Sequence, residues 1–154
     1  MALNKDSLEK KDLEYIHQKA AEEFEILGGS TLLFTGANGF LGYYFIKSIL
    51  YWNYKYPNKK IIVYALDKFD KGVPEWLQKR TDVKILKKDV TKYKLPKDLS
   101  FDYIIHAASI ASPIFYRMYP IETIDANIGG LYNILNYMLK RQKTKKGVKG
   151  DSSS

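Results

Sequence analysis

The chain has 154 residues, 45% apolar and 27% charged, the mix of one globular domain with its own core and not of a disordered segment. It has no cysteine, a polar N-terminus unlike a secretory leader, and no apolar run near the ~20 residues that span a bilayer, so disulfides, thiolate metal sites and a membrane partner are excluded and a cytoplasmic protein is expected. The net charge of +8 is concentrated at one end, where Lys140, Arg141, Lys143, Lys145, Lys146 and Lys149 face only Asp151; a solvated helix end, and not a nucleic-acid partner, is the expected meaning.

Asp6 and Glu9 have the spacing of a capping box, and Leu13, Ile16, Ala20, Phe24 and Leu27 follow at three- and four-residue steps. One amphipathic helix is predicted there, ended by Gly28-Gly29-Ser30. Residues 31–36 form a short apolar run entering a glycine turn, which reads as a buried strand. Residues 40–52 set Leu41, Phe45, Ile49 and Trp52 on one helical face, and Pro57-Asn58 break it. A second strand is predicted over 61–67, and a short helix over 73–79 with Pro74 in its first turn. Third and fourth strands fit 83–90 and 103–108. Ile124, Asn127, Leu131, Ile134, Leu135 and Met138 then mark one face of a long helix. Strands alternating with helices, without hairpin signals, imply a parallel sheet with right-handed crossovers. Three stretches are expected: a helical extension over 1–29, an α/β unit over 30–142 and a basic, fraying tail over 143–154.

The first strand leads into Thr35-Gly36-Ala37-Asn38-Gly39-Phe40-Leu41-Gly42, and a helix follows. In such a turn one glycine permits the tight bend, another lets backbone approach a pyrophosphate, and the last packs helix against strand. Amides at the helix start then receive phosphates. A glycine turn also simply joins strands to helices, so context matters. Here the second strand ends in Asp67, 25 residues after Gly42, where a carboxylate can accept bonds from both ribose hydroxyls. Asp67 as a turn cap is the plainer alternative.

The spacing Gly-x-x-Gly-x-x-Gly in TGANGFLG resembles the cofactor turn of extended short-chain dehydrogenases, the epimerases, dehydratases and decarboxylases of nucleotide sugars. Asp89-Val90 resembles the pair after the third strand that touches adenine. The segment from His106 to Leu135 is similar to the family's strand end, Ala-Ser-Pro loop, Pro-Ile-x-Thr helix start and Asn-x-x-Gly helix. Its SPxxYxxxPIxT pattern, Ser112 to Thr123, looks most like UDP-glucuronate decarboxylases and related epimerases. The resemblance implies a Rossmann-type, doubly wound parallel sheet of order 3-2-1-4, preceded by an extra N-terminal helix. It implies NAD as cofactor and, in the full-length protein, a UDP-linked nucleotide sugar as partner.

Carried over residue by residue, the backbone of Gly36, Asn38, Gly39, Phe40, Leu41 and Gly42 would form the pyrophosphate turn. Asp67 would hold the adenosine ribose, with Asp89 and Val90 flanking adenine. Ala107, Ala108 and Ser109 would line the middle of the cofactor, and Asn127 would organise the region beneath the nicotinamide. Ser112, Pro113 and Tyr116 resemble a loop near the substrate, though each could equally serve packing. His106 is expected to pack under the cofactor and not to move protons, and His17 has no evident partner.

The family's chemistry needs a tyrosine and, one helical turn on, a lysine, on the helix after a fifth strand. Six Tyr-x-x-x-Lys matches occur here (Tyr15/Lys19, Tyr43/Lys47, Tyr51/Lys55, Tyr56/Lys60, Tyr64/Lys68 and Tyr93/Lys97), all before the fourth strand and none taken as catalytic. Val148-Lys149-Gly150 runs directly into Asp151-Ser152-Ser153-Ser154, without an apolar fifth strand. The chain is therefore expected to be the N-terminal, NAD-binding half of a longer enzyme, inactive alone and prone to self-association through the open edge of its fourth strand. A non-catalytic NAD-responsive module is the alternative.

Overall fold

The computed structural model describes residues 8–147, and side chains over 9–142. Asp6, the serines after Gly150 and most of the basic tail lie outside them.

Four parallel strands form one sheet in the order β3-β2-β1-β4: β1 (Thr31–Thr35), β2 (Ile62–Asp67), β3 (Val83–Lys87) and β4 (Tyr103–His106). The register pairs Thr35 with Leu66 and with His106, and Asp67 with Lys87. All four carboxyl ends therefore reach one edge together. Alternation along each strand feeds two cores, as a period of two requires. Leu32, Phe34, Val63, Ala65 and Val83 face Ile46, Ile49 and Trp52 of α3 (Phe40–Lys55) on one side. Leu33 and Leu66 face Val90 and Ile134 on the other. Both faces are covered, which explains why the strands are so uniformly apolar.

The N-terminal helix is two helices. α1 (Leu8–Lys19) and α2 (Ala21–Leu27) meet at Ala20, whose φ of −116° and ψ of 34° leave the helical region. The bend sets Phe24 under His17, with rings 4.2 Å apart, and beside Trp52. His17 donates from Nε2 to the Ser48 carbonyl at 2.8 Å, so it has the partner that the sequence did not reveal. The capping box of Glu9 with Asp6 lies outside the described residues. Glu9 itself pairs with Lys47 at 2.8 Å and accepts the Tyr43 hydroxyl at 2.8 Å. Packed by α1 outside and the sheet inside, α3 is buried at every position from Ile46 to Asn53.

Other elements differ in extent from expectation. The helix over 73–79 is one 3₁₀ turn, Glu75–Leu77, with Pro74 extended ahead of it. β3 stops at Lys87 and β4 at His106, leaving Asp89-Val90 and Ala107-Ala108 in loops. The expected loop around Ser112-Pro113 leads into a further short helix, α4 (Pro113–Met118). The expected long helix starts earlier, as α5 (Pro120–Ile124), and runs through a π-helical turn (Asp125–Gly129) into α6 (Gly130–Gly147). Proline at the first position of α4 and of α5 explains both starts, because its missing N–H costs nothing there. The packing face also differs from expectation. Ile134 and Tyr137 are buried, whereas Ile124, Leu131, Leu135 and Met138 are exposed. The buried face is set by close approach and polar bonds: Gly130 lies against His106 and Val90, and Asn133 donates to the Val90 and Tyr93 carbonyls. Among the described residues, no helix is long and apolar enough to cross a membrane.

Candidate functional site

The three glycines of the turn are glycine for different reasons. Gly36 has φ +75°, and a Cβ there would lie 2.6 Å from the Ala107 carbonyl oxygen. A Cβ on Gly42 would lie 2.6 Å from the carbonyl oxygens of Ala37 and Gly36, so α3 could not close on the turn. Gly39 has φ −80°, and its Cβ would meet only the Gly36 oxygen, at 3.2 Å. The fold thus demands Gly36 and Gly42, whereas Gly39 has one tight backbone contact and otherwise opens on a cleft. A residue kept bare toward open space fits a ligand that approaches the backbone there. The amides of Phe40 and Leu41 stand beside it, ahead of the first turn-closing bond from Tyr43 N–H to the Gly39 carbonyl. The Asn38 amide is committed elsewhere, donating to Asp67 Oδ2 at 3.1 Å.

Thr35 joins β1 to the loop after β4. Its hydroxyl oxygen accepts from the amides of Ala107 and Ala108 at 3.2 and 3.3 Å, so its single proton goes to His106 Nδ1, 2.7 Å away. That leaves the proton of the neutral ring on Nε2, which is buried and has no partner among the described residues. His106 therefore braces the strand ends from below, and nothing positions it to exchange a proton.

At the ends of β2 and β3 two carboxylates flank the cleft. Asp67 accepts from Asn38 N–H and, through Oδ1, from Phe69 N–H at 2.9 Å. Phe69 is fully buried at φ +49°, anchoring the loop that carries this amide. Asp89 accepts the Thr91 amide at 2.9 Å and the Thr91 hydroxyl at 2.7 Å, both on Oδ1. Its Oδ2 faces Lys68 Nζ at 3.6 Å. Burial works against the Asp89 charge, but the Thr91 bonds and Lys68 outweigh it and hold the carboxyl below its usual range.

The cleft measures about 360 Å³ and lies at the carboxyl ends of the strands, where chain direction diverges between β1 and β4. Gly36, Gly39, Asp67 and Asp89 line it, as do Val90, Ala107, Ala108 and Ser109. The other sequence-based candidates do not. Asn127 is exposed and donates to the Thr123 carbonyl within its own helix. Ser112 precedes α4 without a side-chain cap bond, and Pro113 and Tyr116 are exposed on that helix. Sequence reasoning missed the lysines Lys88 and Lys92, and Glu122 and Asp125 on the opposite wall. Thr91 was legible in principle, since Asp followed two residues later by Thr is a local turn signal.

Among the described residues no tyrosine lines the cleft. On α3, Tyr43 and Lys47 share Glu9, and burial plus that bond push the Tyr43 hydroxyl up to about 12, opposite to an activated tyrosine. Lys55 lies over the Tyr51 ring at 4.7 Å, on the face turned away from the cleft. No group of three or more metal-ligating side chains occurs among the described residues.

Comparison with known proteins agrees with this geometry. The profile of the NAD dependent epimerase/dehydratase family matches residues 32–154. UDP-glucuronic acid decarboxylase 6 of Arabidopsis thaliana is 32% identical over 107 residues, which is 68% of this chain and 29% of that protein. UDP-glucuronic acid decarboxylase 2 of the same plant is 28% identical over 134 residues, 82% of this chain and 28% of that one. The chain thus spans under a third of the length of these relatives. Among solved structures, the epimerase Mth375 of Methanothermobacter thermautotrophicus superposes with a TM-score of 0.59 at 20% identity, covering 79% of this chain and 35% of that one. The Bordetella bronchiseptica enzyme WbmF, solved with NAD+, gives 0.58 at 16% identity over 73% of this chain and 33% of that one. Sheet order, glycine turn, cleft and profile converge: the chain belongs to the NAD dependent epimerase/dehydratase family.

Proposed function

We propose that this chain is the NAD-binding portion of an enzyme that oxidises a nucleotide sugar transiently and then epimerises, dehydrates or decarboxylates it. The observation that carries the reading is Gly39, which the protein's own packing constrains far less than Gly36 and Gly42 and which opens on the cleft. The amides of Phe40 and Leu41, at the positive end of α3, would meet the pyrophosphate. Asn38 contributes less than expected from sequence, since its amide already serves Asp67.

Asp67, fixed by two backbone donors, keeps further lone pairs for the adenosine ribose. Asp89 and Val90 would flank adenine, and Ala107, Ala108 and Ser109 would line the middle of the cofactor, held there by Thr35. When bound, NAD would supply the hydride acceptor; the protein supplies position and electrostatics. A UDP-linked sugar is the favoured substrate class, because the relatives above are UDP-glucuronic acid decarboxylases and WbmF has been solved with NAD+ and UDP together. Ser112, Pro113 and Tyr116 would stand on the substrate side.

Calorimetry with NAD and NADP tests the cofactor assignment. NAD is expected to bind more tightly, because the Asp67 carboxylate repels a 2′-phosphate. Asp67→Ala is expected to weaken NAD by about tenfold or more, the worth of a hydrogen bond to a charged group. Unchanged NAD binding in that variant would remove Asp67 from the site.

A further inference from the structure

We propose that Asp89 enforces the preference for NAD at a distance, by holding Lys68 away from the place a 2′-phosphate would occupy beside Asp67. The inference rests on the cofactor reading above. A lysine directly after the ribose carboxylate would ordinarily relax that preference, since it can pair with the phosphate. The structure sends this lysine elsewhere. Lys68 follows Asp67 at the end of β2, lines the cleft, and lies 3.6 Å from Oδ2 of Asp89 in the loop after the neighbouring β3.

Asp89 is built to keep that cation. One of its oxygens, Oδ1, is occupied by the amide and hydroxyl of Thr91, which fixes the plane of the carboxylate and leaves the other, Oδ2, toward Lys68. The carboxyl is held below its usual range and stays ionised near neutrality. Asp67 is fixed in place by the Asn38 and Phe69 amides, and Lys68 makes its ion pair with Asp89. One wall of the cleft thus carries a fixed anion at the ribose position, and the cation that could neutralise a phosphate there is committed to a second anion. The Lys68 side chain is 57% exposed, so the hold is that of a surface pair and its release has a correspondingly small effect.

The test measures dissociation constants of NAD and NADP by calorimetry on the 154-residue chain, and reads their ratio, NADP over NAD. Asp89→Asn changes adenine contacts equally for both ligands, so the ratio isolates the effect on the 2′-phosphate. Freeing Lys68 is expected to lower the ratio by up to about fivefold, the worth of an exposed ion pair. In a Lys68→Met background the same Asp89→Asn change is expected to leave the ratio unmoved.

A ratio unchanged by Asp89→Asn overturns the proposal. So does an equal fall in the Lys68→Met background, which would show that Asp89 repels the phosphate directly. Lys68→Met alone gives a second check that does not depend on the Asp89 variant folding. It is expected to shift the ratio less than about twofold, because a lysine held by Asp89 does not serve the phosphate in the parent chain. A large rise would show that it does, and overturns the proposal. Lys88→Met, on the β3 side of the cleft, should leave the Asp89→Asn effect intact. Absence of any NAD binding would remove the cofactor reading itself, whereas NAD binding with an unmoved ratio removes only this inference.

Discussion

Gly36, Gly39 and Gly42 recur every three residues, yet valine would act differently at each. At Gly42 the new side chain would start 2.6 Å from two carbonyl oxygens, so α3 must shift. Overpacking of this kind costs about 1–3 kcal/mol, and Gly42→Val should lower the melting temperature together with NAD affinity. At Gly39 the close neighbour is one backbone oxygen at 3.2 Å, so Gly39→Val should keep the circular dichroism and lower the melting temperature less than Gly42→Val does. Its side chain would stand between the Phe40 and Leu41 amides and their phosphates. Two hydrogen bonds to a charged group, at about 1.5–3 kcal/mol each, make that a loss of roughly a hundredfold or more in NAD affinity. Retained affinity in a folded Gly39→Val chain would make the turn purely structural. The glycine spacing and Asp67 were legible in the sequence because they are local signals. The capture of the Asn38 amide by Asp67 was not, since it joins residues 29 apart that only the β1–β2 pairing brings together.

At the scale of elements, the helical extension is tied to the helix that opens at the glycine turn. Lys47 is almost fully buried on α3 and faces Glu9 of α1, with its ammonium also against the touching rings of Tyr43 and Trp76. Removing one partner of a buried pair costs about 3–5 kcal/mol, but Glu9 is partly exposed and the rings remain. Glu9→Gln is therefore expected to destabilise by up to about 3 kcal/mol in urea unfolding. Lys47 principally, and Tyr43 with it, hold the Glu9 carboxyl below its ordinary 4.5. The stability it contributes is present above that value and is lost as pH falls through the lower, folded one.

His17 sets a separate, higher window. Burial chiefly, and the charge of Lys55, push its ring below the ordinary 6.5, against the bond to Ser48. The unfolded chain then takes up a proton below 6.5 that the folded His17 refuses, so its contribution to stability falls as pH drops from there. Urea midpoints at pH 7.5 and 5.5 should differ less in His17→Phe than in the parent chain; an equal difference in both would mean that His17 titrates freely. Three-to-four periodicity revealed this extension, but not the bend at Ala20, which no glycine or proline announces. It also misjudged α6, where Gly130 and Asn133 choose the packed face through close approach and polar bonds to the loop after β3.

At the scale of the whole molecule, alternating strands and helices made the sheet order legible, and the cleft followed from that order. What the pattern could not show is how much apolar surface stays uncovered. β4 ends the sheet with one neighbour, and Ile114, Met118, Ile121, Ile128 and Tyr132 on the segments after it are each at least 60% exposed. An open strand edge beside so many exposed apolar side chains favours pairing with another chain. Sedimentation of the 154-residue chain is expected to show mass rising with concentration.

The same chain is expected to bind NAD and yet to turn over no nucleotide sugar. On the proposed reading, the turn, Asp67, Asp89 and the Thr35-braced loop would supply the adenosine and pyrophosphate contacts. No tyrosine or histidine lines the cleft among the described residues; besides Asp67, Asp70 and Asp89 its carboxylates are Glu122 and Asp125, both exposed, on the wall built by the segments after β4. A positioned general acid or base is worth about a hundred- to ten-thousand-fold, and among the described residues no tyrosine–lysine pair stands at the cleft to supply it. Incubation with NAD and UDP-glucose, UDP-galactose or UDP-glucuronate, followed by product chromatography, checks this directly. Protein-dependent product that disappears in Glu122→Gln or Asp125→Asn would place the acid–base group on that wall.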